Sequence, residues 1–258
     1  MCKVIAIANQ KGGVGKTTTC VNLGIGLARE GKRVLLIEAD AQGSMAASLG
    51  IQEPDELEVT LVTIMEKVIN DEDVEPNEGI IWHDEGIAFI PANIELAGLE
   101  TALVNVMSRE MILKQYLDTV KAEYDYILID APPTLGGWVM NILCASDRVI
   151  IPVEASPWGM FGLANMFEFL NEVKQITPEL EVAGIAVTKV DTRKSYYKQT
   201  METLHELEDI HVFEQIIRVD SSVEWSQDNS IPVVEYKKSS RSAREYTRLA
   251  EEVMELCQ

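Results

Sequence analysis

The residues best suited to chemistry are Asn9-Gln10-Lys11-Gly12-Gly13-Val14-Gly15-Lys16-Thr17-Thr18, directly behind the apolar run at 4–8. Glycines at 12, 13 and 15 let backbone N–H groups converge on an anion, and a helix starting there adds unpaired N–H groups and a positive dipole end. Lys16 would neutralise phosphate charge and the Thr17 hydroxyl would ligate Mg²⁺. The stretch departs from GxxxxGK[ST] because Gln10 holds the first glycine position, and a second lysine, Lys11, stands at the loop entrance. Two acids complete the set. Asp40 lies just past the apolar run at 33–38, where open parallel sheets place their ligands. Asp130 ends the run at 126–130 and precedes Ala131-Pro132-Pro133-Thr134-Leu135-Gly136. An aspartate at a strand tip can hold Mg²⁺ through water, while the prolines, Pro133 among them, stiffen a loop that senses a terminal phosphate. Thr17, Asp40 and Asp130 are therefore the candidate magnesium residues.

Positioning these groups requires a strand, a tight loop and a helix in that order. The run at 4–8 reads as the strand and 17–30 as the helix, with Val21, Ile25 and Ala28 on one stripe and Gly31 as a left-handed terminator. A strand at 33–38 closes a crossover unit, which implies a parallel sheet. Residues 50–86 are polar and acidic around a helix at 59–69, and read as a surface excursion. Further strands are expected at 86–91, 126–130, 148–153 and 182–187, with helices at 93–106, 110–123, 159–175 and 243–257. The last helix is expected to bury Tyr246, Leu249, Ala250, Val253 and Met254 and to expose Glu251, Glu252 and Glu255. The expected fold is α/β, a doubly wound, mostly parallel sheet with helices on both faces. Trp138, Trp158 and Trp225 read as packing residues.

A chain of 258 residues can bury one large core, so a single domain over 1–258 is expected. There is no run of eighteen apolar residues and no basic, hydrophobic leader, and the expectation is a cytoplasmic chain. Cys2, Cys20, Cys144 and Cys257 are scattered without CxxC spacing, which argues against zinc, a disulfide framework or a cluster. The net charge of −20 repels nucleic acid and anionic lipid at long range, but a Debye length of about 8 Å lets a local basic patch act by itself. One such patch is Lys237, Lys238, Arg241, Arg244 and Arg248, the arginines at helical spacing with Glu245 as the lone acid among them. Arg193, Lys194 and Lys198 form a second cluster. The final helix is too acidic for a membrane-seeking tail.

Lys-Gly-Gly-Val-Gly-Lys-Thr-Thr, with 7–10 before it and 19–23 after it, resembles the deviant Walker A loop of the ParA/Soj (MinD-like) family of P-loop ATPases. The resemblance covers essentially the whole chain. It implies a SIMIBI-type fold, Mg²⁺ and ATP as cofactors, hydrolysis to ADP and phosphate, and an ATP-dependent homodimer in which Lys11 reaches phosphates bound by the other subunit. Glu38-Ala39-Asp40-Ala41-Gln42-Gly43 resembles the family's DxDPQG, whose second aspartate, here Asp40, helps place the attacking water. Glu38 and Ala41 depart from that pattern, and the longer carboxylate is expected to crowd the Mg²⁺ or its waters. The 130–136 stretch resembles DxPPSLG. The family's base site follows a later strand, here 216–219 with Arg218. Thr188-Lys189-Val190-Asp191 differs from the guanine-reading NKxD in its first residue and reads as a strand end with ionic neighbours. ParA-like dimers bind DNA non-specifically, which makes the two cationic clusters candidates for phosphate contacts and implies a nucleoid location. Ser221-Ser222 stands where Soj-like relatives carry an arginine. A centromere-binding ParB-like partner is implied, and an N-terminal helix-turn-helix extension is not expected. No recognisable arginine finger is found, which implies slow, partner-stimulated turnover. Two alternatives stay open: a positioning ATPase for a non-DNA cargo, and a nucleotide-dependent binding module with little hydrolysis. A cluster-bearing redox role is disfavoured by the cysteine spacing.

Overall fold

The computed structural model describes residues 1–208 and 210–257. Its strands are β1 (Lys3–Ile7), β2 (Val34–Glu38), β3 (Ile81–Trp82), β4 (Ile87–Ile90), β5 (Tyr126–Asp130), β6 (Arg148–Glu154) and β7 (Glu181–Thr188). They form one seven-stranded sheet in the order β3-β4-β2-β5-β1-β6-β7. Among the described residues only β3 runs antiparallel to its neighbour. The chain builds outward from β1 in one direction through β2 and β4, then returns to β5 and continues on the other side through β6 and β7. That reversal opens a crevice at the carboxyl ends of β1, β2 and β5, the ligand position of open α/β sheets.

The helices are α1 (Lys16–Arg29), α2 (Ser44–Ser48), α3 (Leu61–Ile69), α4 (Leu99–Leu103), α5 (Ile112–Val120) and α6 (Gly137–Cys144). They continue as α7 (Pro157–Val173), α8 (Ser195–His205), α9 (Ser221–Asp228), α10 (Val233–Tyr236) and α11 (Arg241–Leu256). Strand side chains alternate between the two faces. Ile5, Ile7, Leu36 and Leu128 pack with α1 and α11, while Val4, Ala6, Leu35 and Ile37 pack with α3, α5, α6 and α7. Both faces are covered, which explains why the parallel strands read as continuous apolar runs. Helix α1 is pressed between sheet and C-terminal helix. A Cβ on Gly24 would lie 2.5 Å from Leu36 Cδ2, and one on Gly26 would lie 2.8 Å from Ala250 Cβ. Gly31 ends the helix at φ +78°, the left-handed position its type suggested.

Several expectations need correction. The two helices expected at 93–106 and 110–123 are broken into 3₁₀ turns at Ile94–Gly98, Arg109–Met111 and Lys121–Glu123 around the short α4 and α5. Ser108 at φ +51° interrupts the run between them. Inside the polar excursion at 50–86 a two-residue strand, β3, folds back on β4 through a turn at Gly86, φ +82°. Residues 216–219, the expected base-site segment, run beside the end of β7 through single bonds, Ile217 N–H to Val187 O at 2.9 Å and Val190 N–H to Ile217 O at 3.0 Å. Trp138 is buried, but Trp158 is 74% and Trp225 59% exposed, so neither packs in the core. In α11, Met254 and Glu252 are half-buried, and Glu252 accepts the Glu214 and Gln215 amides. No helix among the described residues is long and apolar enough to cross a membrane.

Candidate functional site

Gly13 and Gly15 sit at φ +72° and +89°, and an added Cβ on either would meet nothing within 4 Å. The loop is thus bent by glycine conformations other residues resist, and its inner surface faces open space. Helix α1 starts at Lys16 with no side-chain cap, which leaves first-turn N–H groups free for an anion. Val14 turns inward and is fully buried, and its carbonyl accepts the Thr188 hydroxyl at 2.7 Å, pinning the loop to the end of β7. Lys16 is 7% exposed, and its ammonium donates only a long, 3.4 Å contact to the Lys11 carbonyl. Burial lowers its pKa, opposed by Asp130 and Asp40.

Asp130 is 1% exposed, and among the described residues neither of its carboxylate oxygens has a well-formed hydrogen bond. Burial raises its pKa to about 7, with Asp40 adding to the rise and the nearby Thr17 hydroxyl and Lys16 ammonium opposing it. A buried, unpartnered carboxylate beside a hydroxyl is costly unless something cationic satisfies it. A hydrated magnesium ion between Thr17 and Asp130, with Asp40 facing the same crevice, fits these donors.

Glu38 is engaged by backbone groups: its carboxylate is fully buried and accepts the N–H groups of Met45, of Ala46 at 3.3 Å and of Ala92 at 3.1 Å. Burial carries its pKa to about 8 despite those amides. The extra methylene lets Glu38 tie the start of α2 to the exit of β4, and the tie closes a loop that holds Asp40. Asp40 itself accepts the Gln42 N–H at 3.1 Å.

The crevice above the loop encloses about 540 Å³, lined by Gly12, Gly13, Gly15, Lys16, Thr17 and Thr18 on the phosphate side, with Asp40 and Pro133 beside them. Ile217, Arg218, Val219 and Gln227 line its far wall. Arg218 is committed: its N–H meets Glu245 Oε2 at 2.8 Å and its Nε meets Glu245 Oε1 at 2.5 Å. Glu245, counted in the sequence as the odd acid among five cations, is a buried anchor for that wall. Lys11 does not line the crevice. Its ammonium lies 2.6 Å from Glu154 Oε2 and 3.1 Å from Ser156 Oγ of the same chain. Its backbone N–H is received by Asn9, whose amide in turn reaches the Pro152 carbonyl at 2.7 Å. Glu154 was not singled out from the sequence, although an acid at the tip of β6 before Ser156-Pro157 is a signal of the same kind as Asp130.

A family model described as an AAA domain (AAA_31) matches residues 2–182. Over 256 residues the chain is 40% identical to the sporulation initiation inhibitor protein Soj of Bacillus subtilis, covering 98% of this chain and 98% of that protein. The chain belongs to the ParA/Soj family of P-loop ATPases. It is also 34% identical to the chromosome partitioning protein ParA of Myxococcus xanthus, covering 98% of this chain and 88% of that protein. Among solved structures it is similar to cobyrinic acid a,c-diamide synthase from Mycobacterium smegmatis with bound ATP analogue and magnesium, TM-score 0.87 at 32% identity, covering 100% of this chain and 96% of that one. It is likewise similar to a putative plasmid partition protein from Borrelia burgdorferi bound to AMPPNP, TM-score 0.77 at 25% identity, covering 99% and 97%.

The cationic residues of this ParA/Soj-family chain are exposed but differently engaged. Arg193 pairs with Asp191 at 2.9 Å, Arg244 donates to the Ser239 carbonyl at 2.8 Å, and Arg241 donates to the Val219 carbonyl. Lys238 lies 3.8 Å from Glu85. Lys194, Lys198, Lys237 and Arg248 are exposed. Val219 also donates to the Val190 carbonyl at 3.0 Å, so the segment that receives Arg241 is bonded to the strand end that precedes Arg193 and Lys194. Ser222, in the region where the resemblance implies an arginine, is buried and donates its N–H to Asp220 at 2.9 Å.

Proposed function

We propose that residues 1–258 form one ATPase domain that dimerises on Mg·ATP, hydrolyses it slowly to ADP and phosphate, and partitions a DNA cargo. The observation that carries this reading is Lys11: a second lysine at the mouth of the phosphate cradle whose ammonium points out of its own crevice. Lys16 and the N–H groups of 12–18 would hold the phosphates, the Thr17 hydroxyl would ligate the metal, and Asp130, with Asp40 in the same crevice, would hold it through water. Magnesium, when bound, supplies charge neutralisation at the phosphate oxygens. Asp40 orients the attacking water and receives its proton, and Pro133 stiffens the loop that meets the terminal phosphate. Arg218, tied to Glu245, shapes the base end of the crevice. Its Nε is held by Glu245 on the wall away from the phosphate loop, which supports slow turnover raised by a partner, in keeping with the ParB-like protein expected of partition systems.

Arg193, Lys194, Lys198, Lys237, Lys238, Arg241, Arg244 and Arg248 supply the DNA phosphate contacts in this reading. The names of the relatives Soj and ParA favour a partition role. A net charge of −20, and arginines already engaged by backbone carbonyls, favour a second reading in which a ParA-like ATPase positions a non-DNA cargo.

One set of measurements decides between them. Mass by light scattering, binding to a random DNA duplex at low and high salt, and phosphate release are recorded with ATP, ADP or no nucleotide. The proposal expects a dimer and salt-sensitive DNA binding with ATP alone. A dimer that ignores DNA at low salt selects the second reading, and a mass indifferent to ATP overturns both.

A further inference from the structure

The two loops that flank the crevice are joined by a contact that no motif records. Ala39 stands between Glu38 and Asp40, and both of its backbone polar groups are held by one other segment. Its N–H donates to the Asp130 carbonyl at 3.0 Å, and its carbonyl accepts the Trp138 indole N–H at 2.9 Å. Trp138 is 4% exposed, lies in the first turn of α6 and directly follows the proline loop that begins at Ala131. Its own backbone N–H is received by Glu100 at 3.1 Å.

The geometry points to Trp138 as a positioning residue for hydrolysis: its indole N–H fixes the peptide next to Asp40 to the segment that carries Asp130 and Pro133. The inference rests on the proposed role of Asp40. A movement of the proline loop transmitted to α6 then shifts the Ala39 carbonyl, and the carboxylate one residue on moves with it. Buried peptide groups that each have a single fixed partner cannot relax independently, because breaking either bond leaves an unsatisfied polar atom. Phenylalanine at 138 keeps most of the ring packing and removes only the donor.

The test is Trp138→Phe, with the exposed Trp82→Phe as the control. Trp138→Phe is expected to leave ADP affinity and KM for ATP at the parental values while kcat falls about tenfold. A parental kcat overturns the inference. So does a loss of kcat matched by an equal loss of ADP affinity, because a merely structural residue would show that. A second measurement stands apart from turnover. In a chain carrying Trp82→Phe, Trp158→Phe and Trp225→Phe, Trp138 is the remaining tryptophan. Its emission is expected to differ between a non-hydrolysable ATP analogue and ADP; identical emission overturns the coupling. If the parent releases no phosphate from Mg·ATP, the ATPase reading fails by itself, and this fluorescence comparison decides the coupling.

Discussion

The Lys11 ammonium is paired with Glu154 of its own chain at 2.6 Å, across 143 residues of sequence. The two side chains keep 25% and 35% of their surface in water, so the pair is worth about 0.2–1 kcal/mol. Charge-assisted contacts to a triphosphate are worth about 1.5–3 kcal/mol each. A nucleotide on a second copy can therefore draw Lys11 away. Glu154→Gln is expected to lower the ATP concentration giving half-maximal dimer by two- to fivefold, about the free energy of the lost pair. Lys11→Ala is expected to stay monomeric at saturating ATP. Light scattering across an ATP titration checks both, and a higher ATP requirement for Glu154→Gln would mean that Glu154 supports the dimer.

Lys16 and Asp40 face one crevice but are assigned different work. Lys16→Ala removes the buried ammonium beside the phosphate position and is expected to weaken ATP binding at least about a hundredfold. Asp40→Ala is expected to bind ATP and dimerise like the parent while kcat falls by about 10²–10³. Calorimetry and phosphate release separate the two. Normal turnover by Asp40→Ala would remove it from the mechanism.

Glu38 receives three backbone N–H groups in a fully buried setting. Glu38→Ala strands those donors and is expected to cost about 2–4 kcal/mol in urea unfolding. Glu38→Gln keeps an acceptor oxygen in place and is expected to lose about 1 kcal/mol. Equal losses in the two variants would show that charge, and not acceptor geometry, holds the loop.

Asp220 caps α9 through the Ser222 N–H at 2.9 Å and the start of α11 through the Ser242 N–H at 3.1 Å. Burial alone would raise its pKa, but these amides and hydroxyls outweigh it and hold the carboxyl near 2, below its ordinary 3.8. A depressed pKa stabilises the fold above the unfolded value, and the contribution fades as pH falls through the folded one. Allowing for solvent screening, Asp220→Asn is expected to cost about 1 kcal/mol at neutral pH. Parent and variant should converge between about pH 4 and pH 2. Urea midpoints along a pH series check this, and a gap that widens on acidification would contradict it.

What could be read in advance was local. The glycine loop, Lys16, Thr17, Asp130 and the Gly31 stop all depend on neighbours within a few residues, and they lie where the sequence pointed. The alternation of apolar runs with helical stretches likewise carried the sheet and its two covered faces. What was misread depended on partners far along the chain. Glu38 read only as a neighbour of the metal because its acceptor role is set by Ala92, and Arg218 read only as part of the base site because Glu245 arrives from α11. The helices at 93–106 and 110–123 had the right periodicity but lacked a visible sign that Ser108 would take a left-handed conformation. Trp158 and Trp225 were assigned to the core by side-chain type alone, which fixes apolar area and not location.

The close seat of Gly26 against Ala250 has a practical result for anyone shortening this chain. The C-terminal helix is the lid on the helix that begins at Lys16, so a deletion meant to remove a partner-docking tail would strip the cover from the nucleotide cradle instead. Loss of cargo positioning in such a truncation would report a collapsed cradle before it reported anything about a partner.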